Sequence, residues 1–100
     1  MSYIVRTGNL ASTPELREGE RGAYCYARVI VTDRIKNGEE WADGPAIAYD
    51  VSISGAQATA LVDTATRCGN VRVMFSGDYR VSQWATDQGE TRITHQVRAD

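Results

Sequence analysis

This sequence has few of the residues from which catalytic and metal sites are built. It contains one histidine and two cysteines in 100 residues, and Cys25 and Cys68 lack the paired spacing of a zinc site. No phosphate-binding glycine loop is present, and no serine or cysteine has a recognisable base as partner. These absences argue against an enzyme and against a bound metal or cofactor.

The sequence also lacks long apolar runs and a basic excess. No stretch of about 18 apolar residues could cross a bilayer, and the N-terminus has no charged region followed by an apolar core. We therefore expect a soluble, cytoplasmic protein without a membrane partner or a small-molecule substrate, and with two reduced, buried cysteines. The formal net charge is −2, so the overall charge does not indicate an anionic partner.

The sequence has the length of one domain, and most of its basic residues are arginines. A chain of 100 residues fits one domain over 1–100, which buries roughly 60 to 70% of its unfolded surface. Ten of the eleven basic residues are arginine, and the other is Lys36. Arginine suits phosphate contacts and stacking. A general preference for arginine codons explains the count equally well, and both interpretations remain open.

Alternating apolar residues predict strands in the first half of the chain. Residues 2–10 are rich in β-branched and aromatic side chains and predict a first strand, followed by a loop over 11–22. Residues 24–33 and 46–54 alternate, with the polar stretch 34–45 between them as a long hairpin tip. The residues predicted to face the core are Cys25, Ala27, Val29, Val31, Ile47, Tyr49, Val51 and Ile53.

A short helix is predicted after these strands. Ser54-Gly55-Ala56-Gln57 has the spacing of a capping box, and Gly69 provides a stop. Asp63 and Arg67, one turn apart, predict an exposed pair. The apolar face of the helix is formed by Ala58, Leu61, Val62 and Ala65.

Two more strands complete the predicted order of elements. Residues 70–84 predict a long strand bent at Gly77, and residues 91–97 predict the last strand. Three strands, a helix and two strands form the order of an oligonucleotide/oligosaccharide-binding (OB) fold, a five-stranded Greek-key barrel. We therefore expect an all-β domain with one short helix between strands 3 and 4.

Three segments carry a resemblance to a known family: Gly8-Asn9-Leu10, Thr13-Pro14-Glu15-Leu16-Arg17 and Gly77-Asp78-Tyr79-Arg80-Val81-Ser82-Gln83-Trp84. With these, the chain resembles bacterial and phage single-stranded DNA-binding proteins over nearly its whole length. The resemblance implies an OB-fold domain that binds single-stranded DNA without sequence preference in replication, recombination and repair. It also implies self-association, most often as a homotetramer. Many family members continue into an acidic tail, so a chain ending at Asp100 predicts a short form that covers DNA without recruiting partners through such a tail.

The resemblance and the alternation of residues together select candidate DNA-binding residues. Trp84 matches the family's stacking tryptophan, and alternation after Gly77 places Arg80 on the same side of the strand. Tyr26 and Arg28 lie on the outward face of the second predicted strand. Further candidates on the hairpin and on the fourth strand are Arg34, Lys36, Trp41 and Arg72.

The third predicted strand departs from the family pattern. Ala48 and Ser54 stand where family members commonly have aromatic residues, and Asp50 stands where an arginine or similar residue is common. Each missing stack implies a loss of roughly 1 to 3 kcal/mol in single-strand binding proteins. A carboxylate beside the DNA path also repels phosphate. This strand alone therefore does not predict tight binding.

Two hypotheses from different classes follow. The first is a tailless protein that coats single-stranded DNA, with a primosomal-type accessory protein, typically dimeric, as its close variant. The second, suggested by Ala48, Asp50 and Ser54, is an OB-fold interaction module with weak or lost DNA binding. Trp41, which lies among three carboxylates, fits base stacking and packing against a neighbouring subunit equally well.

Overall fold

The computed structural model describes residues 2–100, except for the side chains at positions 34, 35, 37 and 43. Strands dominate and one helix is present, as predicted. No described helix is long and apolar enough to cross a membrane. In chain order the elements are β1 (Ser2–Leu10), β2 (Arg17–Gly19), β3 (Gly22–Asn37), β4 (Glu40–Ser54), α1 (Ala56–Cys68), β5 (Arg72–Ala85) and β6 (Thr91–Ala99).

The described strands form one sheet that closes on itself. Their order is β1-β5-β6-β4-β3-β2, and β1 also pairs with β3 at Asn9↔Ile30 and Leu10↔Val29. The five long strands therefore form a ring, with the short β2 added beside β3. β6 lies between β5, to which it is antiparallel, and β4, to which it is parallel. This parallel pairing brings the last strand into the middle of the sheet.

Two segments predicted as loops contain strand. The segment 11–22 includes β2, which raises the number of strands from the predicted five to six. The predicted hairpin tip at 34–45 is mostly a two-stranded arm, since β3 and β4 remain paired as far as Asn37↔Glu40 and turn at Gly38. Backbone pairing does not require apolar side chains, so the polar composition of these segments led to the wrong prediction.

The core lies inside the ring, on the predicted faces of β3 and β4. Most of the eight predicted side chains are buried, and Ile47 and Ile53 are half-buried and pack against the core. Helix α1 contributes Ala58 and Ala65, which are fully buried, and Leu61, which packs against the same core. The predicted inward faces of β3 and β4 are therefore confirmed, as is that of α1 at Ala58 and Ala65, whereas Leu61 and Val62 are half-buried.

Two glycines allow the close strand approaches that close the ring. A Cβ atom on Gly8 would lie 2.4 Å from the carbonyl oxygen of Ile30, and one on Gly77 would lie 2.0 Å from that of Arg98. Both oxygens belong to paired backbone and cannot move independently of their strands. At Gly77, where the sequence predicted a bend, β5 therefore lies too close to β6 for a side chain.

Only the C-terminal end of helix α1 agrees with the prediction. Gly55 is the N-terminal cap and no side chain caps the helix, so the predicted capping box is wrong. Ser54 instead ends β4, paired with Tyr24, and is held in the strand. The predicted stop at Gly69 is confirmed by the bond from its N–H to the carbonyl oxygen of Ala65, at 2.8 Å.

Both cysteines are free, as predicted, but only one of them is buried. Cys25 lies in the core, where burial raises the pKa of its thiol. Cys68, the last residue of α1, is exposed. The predicted pair on the exposed side of α1 is confirmed, with 2.9 Å between Asp63 Oδ2 and Arg67 Nη2.

Candidate functional site

Alternate residues of four neighbouring strands point away from the core and form one surface. Paired residues on neighbouring strands lie on the same side of a sheet, so the strand register decides which side chains meet. We call the following eight residues the outer face. In the sheet order β3, β4, β6, β5, one row consists of Tyr26, Ser52, Arg98 and Asp78, and the next row consists of Arg28, Asp50, Gln96 and Arg80.

The outer face is locally basic although the whole chain is acidic. Three arginines and two aspartates give it a formal charge of 3 − 2 = +1, against −2 for the chain. Arg28 Nη1 lies 3.9 Å from Asp50 Oδ1, and both side chains are largely exposed, so solvent weakens this pair. Among the described residues, Arg80, Arg98 and Asp78 form no side-chain hydrogen bond or ion pair.

Two clefts run across this surface and meet at one carboxylate. The tyrosine cleft, of about 380 Å³, is lined by outer-face residues that include Tyr26, Asp78 and Arg98. The tryptophan cleft, of about 390 Å³, is lined by residues that include Trp84, Ala48, Arg92 and Thr94. Asp50 lines both clefts. A chain that occupied the two clefts together would therefore pass the Asp50 carboxylate.

The tryptophan cleft presents an anchored indole. Trp84 is 50% exposed, and its Nε1 donates to Thr94 Oγ1 at 3.3 Å. This bond holds one edge of the ring while half of its surface stays open to a ligand. Arg92 lies opposite Trp84 on β6, and its Nη2 lies 3.8 Å from Glu90 Oε2. Ala48, where the resemblance implied an aromatic residue, leaves this cleft open.

The tyrosine cleft presents a second exposed ring. Tyr26 is 62% exposed and packs edge-on against Tyr24, with ring centroids 5.7 Å apart and planes at 74°. These two residues lie opposite Ser52 and Ser54 on β4. The aromatic side chain that the resemblance implied at position 54 is thus missing, but two aromatic rings lie beside that position on the neighbouring strand.

A cluster of rings on the inner side of the same strands supports the surface. The hydroxyl of Tyr79 lies 2.6 Å from His95 Nδ1, and Tyr49 packs against both rings. Burial is the main cause that raises the pKa of Tyr79; Tyr49 raises it further and Arg6 lowers it. Among the described residues, no group of three or more acidic, histidine or cysteine side chains could hold a metal ion. The chemistry available here is stacking, hydrogen bonding and charge.

The structure brings four of the eight candidate residues to this surface. Tyr26, Arg28 and Arg80 belong to the outer face, and Trp84 lies further along β5 on the same side. Their role in DNA binding stays a prediction. Arg72 lies apart from them, since it pairs with Asn9 of β1 instead of with β6.

The other three candidates lie on the β3–β4 arm. Lys36 is opposite Trp41, whose side chain is 57% exposed. A register shift between Thr32 and Arg34 interrupts the alternation, so the arm does not simply extend the outer face. The side chain of Arg34 lies outside the described residues, and only its backbone pairing with Asp43 is described.

Sequence analysis missed the contribution of β6 to the surface. The alternation of residues along β6 could have placed Arg92, Gln96 and Arg98 on the face of the strand opposite the buried Val97. The central position of β6 could not be obtained in this way, because it depends on the parallel pairing of Asp50 with Gln96 across more than 40 residues of chain.

Comparisons with known proteins agree with this geometry. A model of the single-strand binding protein family matches residues 1–100. Among solved structures, the crystal structure of a small single-stranded DNA-binding protein from Streptomyces coelicolor matches with a TM-score of 0.82 and 26% sequence identity. That match covers 98% of this chain and 88% of the other chain. A comparison with curated proteins finds no match.

Proposed function

Since the chain belongs to the single-strand binding protein family, we propose that it coats single-stranded DNA, without requiring a particular sequence, in replication, recombination and repair. Membership also confirms the expectation of a DNA-binding protein that is not an enzyme. The observation that carries the proposal is the pair of clefts, each with one exposed aromatic ring, joined by a surface that bears arginines.

In the proposed complex, bases stack on Trp84 and Tyr26 while guanidinium groups neutralise phosphates. Each stacked base contributes roughly 1 to 3 kcal/mol and requires no particular base, because every base has a π-face. The arginines that line one or both clefts are Arg28, Arg80, Arg92 and Arg98. Release of counterions from the DNA makes such binding weaken steeply with salt.

The order of the long elements supports an OB fold. β1, β3, β4, α1, β5 and β6 follow one another as three strands, a helix and two strands, with β2 as a short addition. In this interpretation the helix lies between the third and fourth barrel strands, and the binding surface lies on the outside of the barrel.

We also propose that the protein assembles as a homotetramer in the cytoplasm, associated with the nucleoid. Tyr3, Val5 and Met74 are more than half exposed on β1 and β5, and exposed apolar side chains of this kind favour contacts between subunits. Sedimentation equilibrium tests this proposal: a mass of four chains agrees with it, and a mass of two chains favours the primosomal-type variant.

A titration of tryptophan fluorescence with an oligo-dT strand, at low and at high salt, tests the proposed function. We expect the DNA to quench tryptophan fluorescence at low salt and high salt to restore the fluorescence. Bases stack on an indole only while the arginines hold the phosphates of the strand, and salt weakens those contacts. The variants Trp84→Phe and Trp41→Phe show which indole reports binding.

A second candidate function is an interaction module with weak DNA binding. The position of Asp50 favours it, because this carboxylate lines both clefts and repels phosphate. Absence of quenching even at low salt supports this alternative and overturns DNA coating.

A further inference from the structure

We propose that the tyrosine cleft discriminates between bases and favours those that carry an exocyclic amine over thymine or uracil. The inference rests on the proposed function, because it concerns which bases this surface accepts. It also differs from that function, since stacking alone accepts every base.

The size and the walls of the tyrosine cleft suit a single base. Its volume of about 380 Å³ lies within the usual range for small-ligand sites. Tyr26, 62% exposed at one wall, offers a ring on which a base can stack. A base seated there presents its hydrogen-bonding edge to the polar residues of β4, β6 and β5.

Those polar residues combine acceptors with donors. Ionised carboxylates accept hydrogen bonds only, guanidinium groups donate only, and an amide does both. The cleft contains two carboxylates, Asp50 and Asp78, and two guanidinium groups, Arg80 and Arg98. It also contains the amide of Gln96. The register places Asp78 opposite Arg98, and Gln96 between Asp50 and Arg80, so each carboxylate has a donor beside it.

This combination matches amino-bearing bases and mismatches uracil-like bases. The row Asp50, Gln96, Arg80 offers an acceptor, an amide and a donor in that order, which fits the N4 amine, N3 and O2 of cytosine. Guanine also offers an amine beside ring and carbonyl groups. Thymine and uracil present an acceptor, a donor and an acceptor (O4, N3–H and O2), so one of their carbonyl oxygens always faces the Asp50 carboxylate of this row and that hydrogen bond is lost.

The tryptophan cleft provides an internal contrast. Its lining combines Arg28, Arg92 and Thr94 with apolar residues such as Ile47 and Ala48, and the one carboxylate among its described lining residues, Asp50, is shared with the tyrosine cleft. The tryptophan cleft therefore lacks the row of acceptor, amide and donor formed by Asp50, Gln96 and Arg80, and stacking on Trp84 is the contact that every base can make there. The protein coats strands of any sequence through one cleft and gains affinity for amino-bearing bases through the other.

Equilibrium binding of oligo-dC and oligo-dU strands of equal length, near neutral pH, tests the inference. Both bases lack the thymine methyl group, so the strands differ only at the base edge. We expect the wild-type protein to bind oligo-dC about ten-fold more tightly, the effect of one hydrogen bond to a charged group. The variants Asp50→Asn and Asp78→Asn should bring the ratio of the two affinities toward one.

Asp63→Asn is the matched control, since it removes one carboxylate from α1, where Asp63 pairs with Arg67. It should leave the ratio at the wild-type value. Equal wild-type affinities for the two strands, or an unchanged ratio in the double variant at 50 and 78, overturn the inference while DNA coating stands. If the wild-type protein binds neither strand, the proposed function fails, and the inference fails with it.

Discussion

The two clefts of the outer surface use the same strands but different chemistry. In the tryptophan cleft, a half-exposed indole is anchored by Thr94, and Ala48 leaves room beside it. In the tyrosine cleft, a more exposed ring faces carboxylates, guanidinium groups and an amide. The difference teaches that neighbouring parts of one sheet can place different sets of donors and acceptors beside an exposed ring, because alternate residues of each strand are free of the core.

The largest expected effect comes from Trp84→Ala. Loss of one stack should lower the affinity for any single strand by about 1 to 3 kcal/mol, that is, about five- to 150-fold. Because stacking is tolerant, oligo-dC and oligo-dU should lose affinity equally, as measured by fluorescence anisotropy of labelled strands. Tyr26→Ala is the comparison variant: it should lower affinity and also abolish the preference for oligo-dC. If the two variants had the same ratio of oligo-dC to oligo-dU affinity, the assignment of the base preference to the tyrosine cleft would be contradicted.

A steric change can separate the clefts. Gly77→Ala places a methyl group against the Arg98 carbonyl oxygen, so β5 and β6 must move apart beside the tyrosine cleft. We expect a loss of about 1 to 3 kcal/mol in the free energy of unfolding and loss of the oligo-dC preference, with quenching of Trp84 retained.

Gly8→Ala serves as its control in thermal unfolding and binding. It causes a similar clash with the Ile30 carbonyl oxygen, where β1 pairs with β3 outside the lining of the tyrosine cleft, and should destabilise the fold while keeping the preference. An unchanged melting temperature in Gly77→Ala would show that the close approach of β5 to β6 is absent.

A smaller effect is expected from Arg98→Ala. Removal of one phosphate contact should lower the slope of log K against log salt by about one, with a moderate loss of affinity at low salt. Arg72→Ala removes the same charge from the part of β5 that pairs with β1 and should leave the slope unchanged. A reduced slope in both variants would indicate general electrostatics instead of contacts within the outer face.

The smallest effect concerns stability and leaves both clefts intact. Asp100 accepts hydrogen bonds from the Tyr3 hydroxyl at 2.6 Å and from the Ser76 hydroxyl at 2.9 Å. These bonds lower the pKa of Asp100 below its ordinary value. Its contribution to stability is therefore present above the unfolded-state pKa and is lost as the pH falls through the lower folded-state pKa. Asp100→Asn should lower the melting temperature slightly at neutral pH and not at strongly acidic pH.

Much of the fold was predictable because local patterns decide it. Alternation identified the buried face of β3 from Cys25 to Val31 and that of β4 around Val51, and Gly69 ends the helix as expected. The errors were also local. Polar composition concealed the β3–β4 arm, since backbone pairing tolerates polar side chains, and Ser54 belongs to a strand instead of a capping box.

The candidate site was less predictable, because it depends on pairings between distant segments. Tyr26, Arg28, Arg80 and Trp84 were found by alternation and resemblance, whereas Gln96 and Arg98 were missed and Arg72 was included although it lies elsewhere. By itself, the sequence determined which residues of each strand face outward, because the side-chain period of a strand is a local property. Only the tertiary structure decided which outward residues meet. The parallel pairing of β4 with β6 and the close approach at Gly77 set that neighbourhood, and no local pattern records the register between strands far apart in the chain.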